Sequence, residues 1–184
     1  MKLIISTVLL VLIAVTAFPQ EKYFTKNGNL TFYSKAPLED IDAKNKNVVS
    51  VLDKTTGQVE VSMLMKAFEF KKALMQEHFN ENYIESDKFP KSVFKGIIGD
   101  LSGVDLARNG KYQATVAGKL SLHGETKEVA APVIFTVTNG MINAISEFKI
   151  VLEDFKISIP SIVKDKISKE VSVVIEINYE PLIQ

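Results

Sequence analysis

The sequence contains no cysteine and no tryptophan, and it has only two histidines among 184 residues. Without cysteine the chain has no disulfides, no thiolate zinc site and no cysteine nucleophile, and two histidines far apart are a poor metal-ligand set. We therefore predict no metal and no cofactor. The 22 basic and 22 acidic side chains balance, so the basic excess typical of nucleic-acid-binding proteins is also missing. Without a Pro- or Gly-rich linker, one domain is the economical interpretation.

Only one long apolar run is present, and it stands at the start of the chain. Met1 and Lys2 supply a charge, Leu3 to Ala17 is almost entirely apolar, and Val15 and Ala17 are small residues suited to cleavage after Ala17. This pattern is typical of a secretory signal, and the run is shorter than the roughly 20 residues of a membrane span. We expect residues 1–17 to be a signal peptide and residues 18–184 the mature, periplasmic or secreted domain without a stable membrane anchor. An uncleaved anchor helix is the alternative.

The second half of the chain alternates apolar and polar residues with a period of two, which predicts strands with one dry face. The segment KYQATVAGKLSL shows it best, and Asn139-Gly140 predicts a tight hairpin turn. In the first half, Asn27-Gly28 precedes a strand with Leu30 and Phe32. About eight strands need either a sandwich or a closed barrel, and closure protects the edges of long strands. The predicted fold is mainly β: a single antiparallel β-barrel of about eight strands.

The stretch from Lys71 to Gly96 differs from the strands around it. Residues 70–82 are good helix formers, and Phe70, Leu74 and His78 fall on one helical face. This predicts one short helix in a crossover between strands. His78 stands beside Glu77, so an imidazole oriented by a carboxylate is one interpretation, and a structural role is the other. The second histidine, His123, lies at a strand end, where capping a turn is the alternative to catalysis.

Three separated segments resemble the YceI-like family of secreted bacterial proteins. They are ESDKFP followed by FKG (Glu85 to Pro90, Phe94 to Gly96), GKLSLHGETK (Gly118 to Lys127) and DFKISIP (Asp154 to Pro160). The resemblance implies a lipocalin-like barrel with a helix in the crossover. It also implies a periplasmic protein that binds a long isoprenoid lipid, such as a polyprenyl phosphate or a quinone, in a tunnel along the barrel axis.

Small residues on predicted inward faces favour an open interior. Ala114, Val116 and Gly118 are successive residues on the predicted dry face of one strand, and Ala144 and Ser146 lie on another strand. Four phenylalanines, at 32, 94, 135 and 148, would instead fill the barrel. The predicted tunnel and lid residues are Phe32, Val61, Met63, Met65, Phe70, Leu74, Phe79, Phe94, Ala114, Val116, Phe148, Ile150, Val173 and Ile175.

Three functions remain open from the sequence. The first is binding, transport or sequestration of an isoprenoid or other long-chain lipid in the cell envelope, with no catalytic residue. The second is an enzyme that acts on a hydrophobic substrate with His78 or His123 as base. The third is a ligand-free envelope stress or interaction protein with a filled barrel and an exposed apolar patch. A homodimer is compatible with each of them.

Overall fold

The computed structural model describes residues 22–182, so the predicted signal peptide, residues 1–17, lies outside the described residues. The described part contains nine strands and one short α-helix. In chain order these are β1 (Lys22–Lys35), β2 (Asp40–Asp53), β3 (Gln58–Leu64), β4 (Glu69–Phe70), α1 (Ala73–His78), β5 (Lys91–Ile98), β6 (Gly110–Leu122), β7 (Glu125–Thr138), β8 (Met141–Val151) and β9 (Glu170–Pro181).

Eight of these strands close into an antiparallel barrel. The hydrogen-bonded order is β1, β9, β8, β7, β6, β5, β3, β2, and β2 pairs with β1 to complete the circle. The two-residue strand β4 attaches to β2 at the side, where Ala43 pairs with Phe70. Because every long strand has two neighbours, no long edge is left unpaired. The predicted fold class, a mainly β protein with a single barrel and one short helix, is confirmed.

The alternation predicted from the sequence sets which face of each strand is buried. In β9, Val171, Val173, Ile177 and Tyr179 are all buried, whereas Asn178 between the last two is exposed. The predicted hairpin turn between β7 and β8 is also confirmed. Asn139 and Gly140 have φ of 50° and 80°, and Thr138 pairs directly with Met141. Both central residues thus adopt the left-handed conformation that suits the twist of a two-residue hairpin.

The first strand begins earlier than the sequence indicates. Strand β1 starts at Lys22 and runs through Asn27-Gly28, which we expected to precede it. The pairing with β2 shifts register between Thr25 and Gly28, so this pair marks a bulge inside the strand. A Cβ atom on Gly28 would lie 3.1 Å from the carbonyl oxygen of Val48, tighter than usual. The missing side chain therefore allows the two strands to approach at the bulge.

The two ends of the barrel are built differently. At one end the β5–β6 loop folds across the barrel and buries Val104 and Leu106. At the other end lie the β1–β2 turn, the β3–β5 connection with α1, the β6–β7 turn and the β8–β9 connection. Helix α1 is shorter than the predicted span of 70–82, because Phe70 pairs in β4 and a π-helical turn follows at Phe79–Tyr83. No helix within residues 22–182 combines the length and apolar character needed to cross a bilayer.

Candidate ligand-binding cavity

The inward faces of the barrel strands enclose a cavity of about 460 Å³. This volume lies within the roughly 300–1,000 Å³ of typical small-molecule sites. Most of the lining side chains are aliphatic or aromatic, and the cavity has no cluster of charges. Its polar lining residues are Ser34, Glu39, His78, Tyr83, Ser92, Ser146, Lys166 and Tyr179. Such a wall suits an apolar ligand with few hydrogen-bonding groups.

All of the predicted tunnel and lid residues except Ala114 border this cavity. Those brought together are Phe32, Val61, Met63, Met65, Phe70, Leu74, Phe79, Phe94, Val116, Phe148, Ile150, Val173 and Ile175. They come from barrel strands, from β4 and from the segment with α1. The structure therefore gives them a common position, while their contact with a ligand stays a prediction.

Ala114 lies on the predicted face of β6 but at the wrong depth. It packs against the core, yet it borders a separate surface depression together with Gly99 and Pro132. Val116, two residues further along β6, does line the cavity. Alternation identifies the face of a strand and carries no information on where the cavity ends along it. The assignment of Ala114 to the cavity wall is therefore corrected.

The four phenylalanines that could have filled the barrel line its cavity instead. Phe32, Phe94, Phe135 and Phe148 all border the open space. The position of Phe94 is explained by Gly96, two residues later on the same strand. A Cβ atom at Gly96 would lie 2.5 Å from the Phe94 ring. The ring thus lies flat against the wall over Gly96, and the interior stays open.

Four aromatic rings hold the α1 segment on the barrel. The centroid of Phe79 lies 5.7 Å from that of Phe32, 5.6 Å from Phe68 and 5.0 Å from Phe70. These separations are typical of favourable aromatic pairs. Helix α1 itself buries no residue, so the aromatic cluster after it provides the main attachment. The segment is a cover with a single firm anchor.

A second group of contacts joins three connections at the same end of the barrel. His123 Nε2 lies 2.9 Å from Glu85 Oε2, and His123 Nδ1 lies 2.9 Å from the carbonyl oxygen of Phe155. The Phe89 ring packs edge-on against the imidazole at 4.8 Å. We call Glu85, His123 and the Phe155 carbonyl the clasp. It links the segment before β5, the β6–β7 turn and the β8–β9 connection.

The backbone is strained around the clasp. Glu85, His123 and Lys156 have φ of 48°, 50° and 55°, and each such left-handed residue costs on the order of 1 kcal/mol. Elsewhere in residues 22–182, only Asn139 in the hairpin turn is a non-glycine residue with positive φ. Lys156 donates to Glu125 at 2.6 Å, and this bond lowers the pKa of the Glu125 carboxyl. The clasp thus lies among three turns that each contain a non-glycine residue with positive φ.

The clasp engages both ring nitrogens of His123. A carbonyl oxygen only accepts, so Nδ1 donates to the carbonyl of Phe155, while Nε2 contacts the carboxyl of Glu85. Because both nitrogens are held in these contacts, neither is left free to act as a base. His78 is exposed and lines the cavity, and its imidazole has no hydrogen bond to any described residue. Neither histidine has the arrangement of an oriented general base.

Of two hydroxyls in the cavity wall, that of Tyr179 has a hydrogen-bond partner and that of Ser146 has none in the described structure. The hydroxyl of Tyr179, on the cavity floor, lies 2.7 Å from Ser50 Oγ, which in turn donates to the Glu60 carbonyl. Burial raises the pKa of Tyr179 to about 12, although the bond to Ser50 acts in the opposite direction. Ser146 is buried with no partner for its Oγ in the described structure. The floor is thus closed by a satisfied buried pair.

Two groups of cavity-lining residues were not among those predicted from the sequence. Strand alternation could have identified the first group but not the second. Leu120, Phe135 and Ile177 line the cavity and follow the same alternation as the predicted residues. The β8–β9 connection contributes Ile157, Val163, Lys166 and Ile167, but it has no strand periodicity that would point them inward. Within residues 22–182, no three His, Asp or Glu side chains gather in a metal-binding arrangement.

The YceI-like domain family matches residues 21–179. The chain belongs to the YceI-like family. Three similar solved structures share the fold at low sequence identity. A polyisoprenoid binding domain from Saccharophagus degradans is 15% identical, with a TM-score of 0.76 over 88% of this chain and 99% of that chain. BcnA of Burkholderia cenocepacia is 14% identical (TM-score 0.64; 83% and 96%), and a Campylobacter jejuni YCEI protein is 17% identical (0.59; 75% and 84%). No curated protein sequence matches the chain.

The family assignment confirms the resemblance drawn from three short segments. Each segment supplies one member of the clasp: Glu85 from ESDKFP, His123 from GKLSLHGETK and Phe155 from DFKISIP. Gly96, which lets the Phe94 ring lie flat, belongs to the FKG part of the first segment. The segments that identify the family are therefore those that join the connections at one end of the barrel and keep its interior open.

Proposed function

We propose that this chain binds an isoprenoid or similar long-chain lipid in its barrel cavity and carries or sequesters it in the cell envelope. The observation that carries this proposal is the apolar cavity of about 460 Å³ inside a YceI-like barrel. A fold neighbour is described as a polyisoprenoid binding domain, which supports the same class of ligand. Each methylene removed from water contributes about 0.8 kcal/mol, so affinity is spread along the wall.

The cavity volume sets the part of the ligand that is enclosed. An engineered cavity of about 150 Å³ holds one benzene molecule, so a volume about three times larger accommodates roughly twenty carbon atoms. A longer chain would continue out of the cavity. The flexible thioethers of Met63, Met65 and Met75 in the wall adapt to such a chain.

The two other functions have less support. An enzyme with His123 as base conflicts with the occupation of both ring nitrogens in the clasp, and His78 has no orienting carboxylate within hydrogen-bonding distance. A ligand-free interaction protein requires a filled barrel, whereas Phe94 and the other large rings leave the centre open. We therefore favour binding over turnover.

The proposed place of action depends on the leader, which lies outside the described residues. The expected mature chain begins at Phe18 in a periplasmic or extracellular fraction. N-terminal sequencing of that fraction is the measurement, and an intact Met1 in the cytoplasm would contradict export.

Native mass spectrometry of the protein purified from its source tests the lipid proposal directly. The expected result is an added mass that dissociates on activation and is identified as a prenyl or other long-chain lipid by analysis of the extract. A mass equal to that of the bare chain, together with no uptake of added polyprenols or long-chain fatty acids, would overturn it.

A matched pair of variants locates the ligand. Ala144 is buried and lines the cavity, so Ala144→Phe should occupy empty volume and remove the bound lipid. Because the space is open, the free energy of unfolding should change by less than the roughly 1–3 kcal/mol of overpacking a filled core. Ala114→Phe is the control, since Ala114 borders the separate depression, and it should retain the lipid. Equal lipid retention by both variants would contradict binding in this cavity.

A further inference from the structure

The cavity reaches the surface between three segments. Leu74 in α1 and Lys166 in the β8–β9 connection are exposed, yet both line the cavity, and Glu39 of the β1–β2 turn lines it as well. A residue that is exposed and lines the cavity marks the place where the cavity opens. We call this opening the portal.

The segments around the portal carry the most exposed large apolar side chains of residues 22–182. Leu38 in the β1–β2 turn is 70% exposed, Leu74 in α1 is 64% exposed and Ile162 in the β8–β9 connection is 90% exposed. We call these three side chains the rim. Single exposed aliphatic residues are common on proteins, but a cluster around one opening indicates an interaction surface.

Contacts between the three segments keep the rim together. The backbone amide of Leu38 donates to the carbonyl oxygen of Asp165 at 2.9 Å. Lys72, directly before α1, donates to Glu39 at 2.7 Å, and the Ser168 amide donates to Ser34 Oγ at 2.8 Å. Each segment is thus tied to the β1–β2 turn, so the rim residues lie on one end of the molecule.

Two lysines beside Ile162 add charge to this surface. Lys164 and Lys166 form no ion pair within the described residues, whereas Lys71 and Lys72 are neutralised by Asp42 and Glu39. A lysine near an anionic bilayer is attracted to it by its charge. Aliphatic side chains with unpaired lysines next to them match the boundary between acyl chains and phospholipid head groups.

We propose that the rim is a membrane-docking surface, with Leu38, Leu74 and Ile162 inserted among the lipids and Lys164 and Lys166 against anionic head groups. This inference rests on the proposed function, because a lipid cargo is stored in a bilayer. With the rim inserted, a prenyl or acyl chain passes between bilayer and cavity without crossing water. A second copy of this chain is the competing occupant of the same surface.

Vesicle flotation tests the proposal with the chain expressed at full length and purified after processing. Vesicles of phosphatidylcholine alone are compared with vesicles that contain phosphatidylglycerol at about one part in four. The expected result is binding that is stronger on the anionic vesicles. The variant Leu38→Ser/Leu74→Ser/Ile162→Ser should bind both at least about tenfold more weakly, and Lys164→Gln/Lys166→Gln should lose the preference for anionic vesicles.

The control replaces exposed apolar residues away from the portal. Ile97, Met141 and Ile145 lie on barrel strands and are exposed, so the triple serine variant at these positions should bind vesicles like the wild type.

Equal binding by the rim variant and the wild type would overturn the proposal. A dimer that forms without vesicles and that Ile162→Asp dissociates would overturn it as well. If native mass spectrometry finds lipid in a protein that binds no vesicle, docking is wrong and the proposed function stands. If neither lipid nor vesicle binds, both are wrong.

Discussion

The clasp and the portal lie at the same end of the barrel and are held by different forces. At the clasp, His123 is only 10% exposed, and both of its nitrogens make short hydrogen bonds to separate connections. At the portal, α1 buries no residue, and it is joined to the β1–β2 turn by the ion pair of Lys72 with Glu39, whose lysine is 66% exposed. Buried, geometrically defined contacts contribute much more to stability than exposed ion pairs.

This difference indicates which side of this end of the barrel can move, the clasp side or the portal side. Opening the clasp would expose strained turns and leave the Phe155 carbonyl without a partner, whereas lifting α1 breaks weak surface contacts and the packing of one aromatic side chain. Segments with few buried contacts open at low free-energy cost. We infer that a ligand enters on the portal side while the clasp side stays closed.

The largest expected effect comes from breaking the clasp. His123→Ala removes both hydrogen bonds and the contact with Phe89, and it leaves the carbonyl of Phe155 unpaired. The expected loss is about 3 kcal/mol in the free energy of unfolding. In this figure the contact with Glu85 contributes less than a buried hydrogen bond, because the Glu85 side chain is 42% exposed. His78→Ala is the matched control at the portal and should change stability by less than about 0.5 kcal/mol. Denaturant unfolding measures both, and equal losses would remove the distinction between the two halves.

The second prediction concerns the buried hydroxyl of Tyr179 on the cavity floor. Burial raises the pKa of Tyr179 to about 12, above the value of roughly 10 for an exposed tyrosine. The native state therefore favours the protonated hydroxyl. The stabilisation is complete below about pH 10 and is lost as the pH rises towards 12, by about 2 kcal/mol. Tyr179→Phe cannot titrate, so its unfolding free energy should decline less than that of the wild type over this range.

Tyr179→Phe also loses the bond to Ser50, which should lower stability at neutral pH by about 1 kcal/mol. The two stability curves are therefore expected to converge above pH 10. Parallel curves between pH 10 and 12 would contradict a buried, protonated Tyr179.

Local pattern predicted the parts of the molecule that local chemistry determines. Alternation placed Val116, Val173 and Ile175 on inward faces, and Asn139-Gly140 specified a hairpin because both residues accept positive φ. The position of Ala114 was wrong because the depth of the cavity depends on how all strands are staggered. The same holds for the bulge at Gly28, since a bulge is defined by the partner strand.

Contacts between distant connections could not be derived from the sequence. His123 is 38 residues from Glu85 and 32 from Phe155, and no periodic pattern links them. Resemblance to a family identified the three segments without indicating that they meet. The portal side was harder still to predict from the sequence. Residues 157–167 have no strand alternation, and they line the cavity only because of the path that the β8–β9 connection takes. Prediction was thus most accurate in the strands and least accurate at the end where the ligand is proposed to enter.

The smallest expected effect on stability is at the portal itself. Lys72→Gln breaks the ion pair with Glu39, and since the Lys72 side chain is 66% exposed, the free energy of unfolding should fall by less than about 0.5 kcal/mol. The pair nevertheless joins α1 to the β1–β2 turn, so its loss should speed the release of a bound polyene fatty acid, followed by fluorescence. Lys149→Gln is the control, because Lys149 is about as exposed as Lys72 and also pairs with a carboxylate, that of Glu170, but this pair joins β8 to β9 rather than α1 to the β1–β2 turn. Faster release from Lys72→Gln alone, with both variants equally stable, is the expected result. The same release rate in both would place the entry route elsewhere on the barrel.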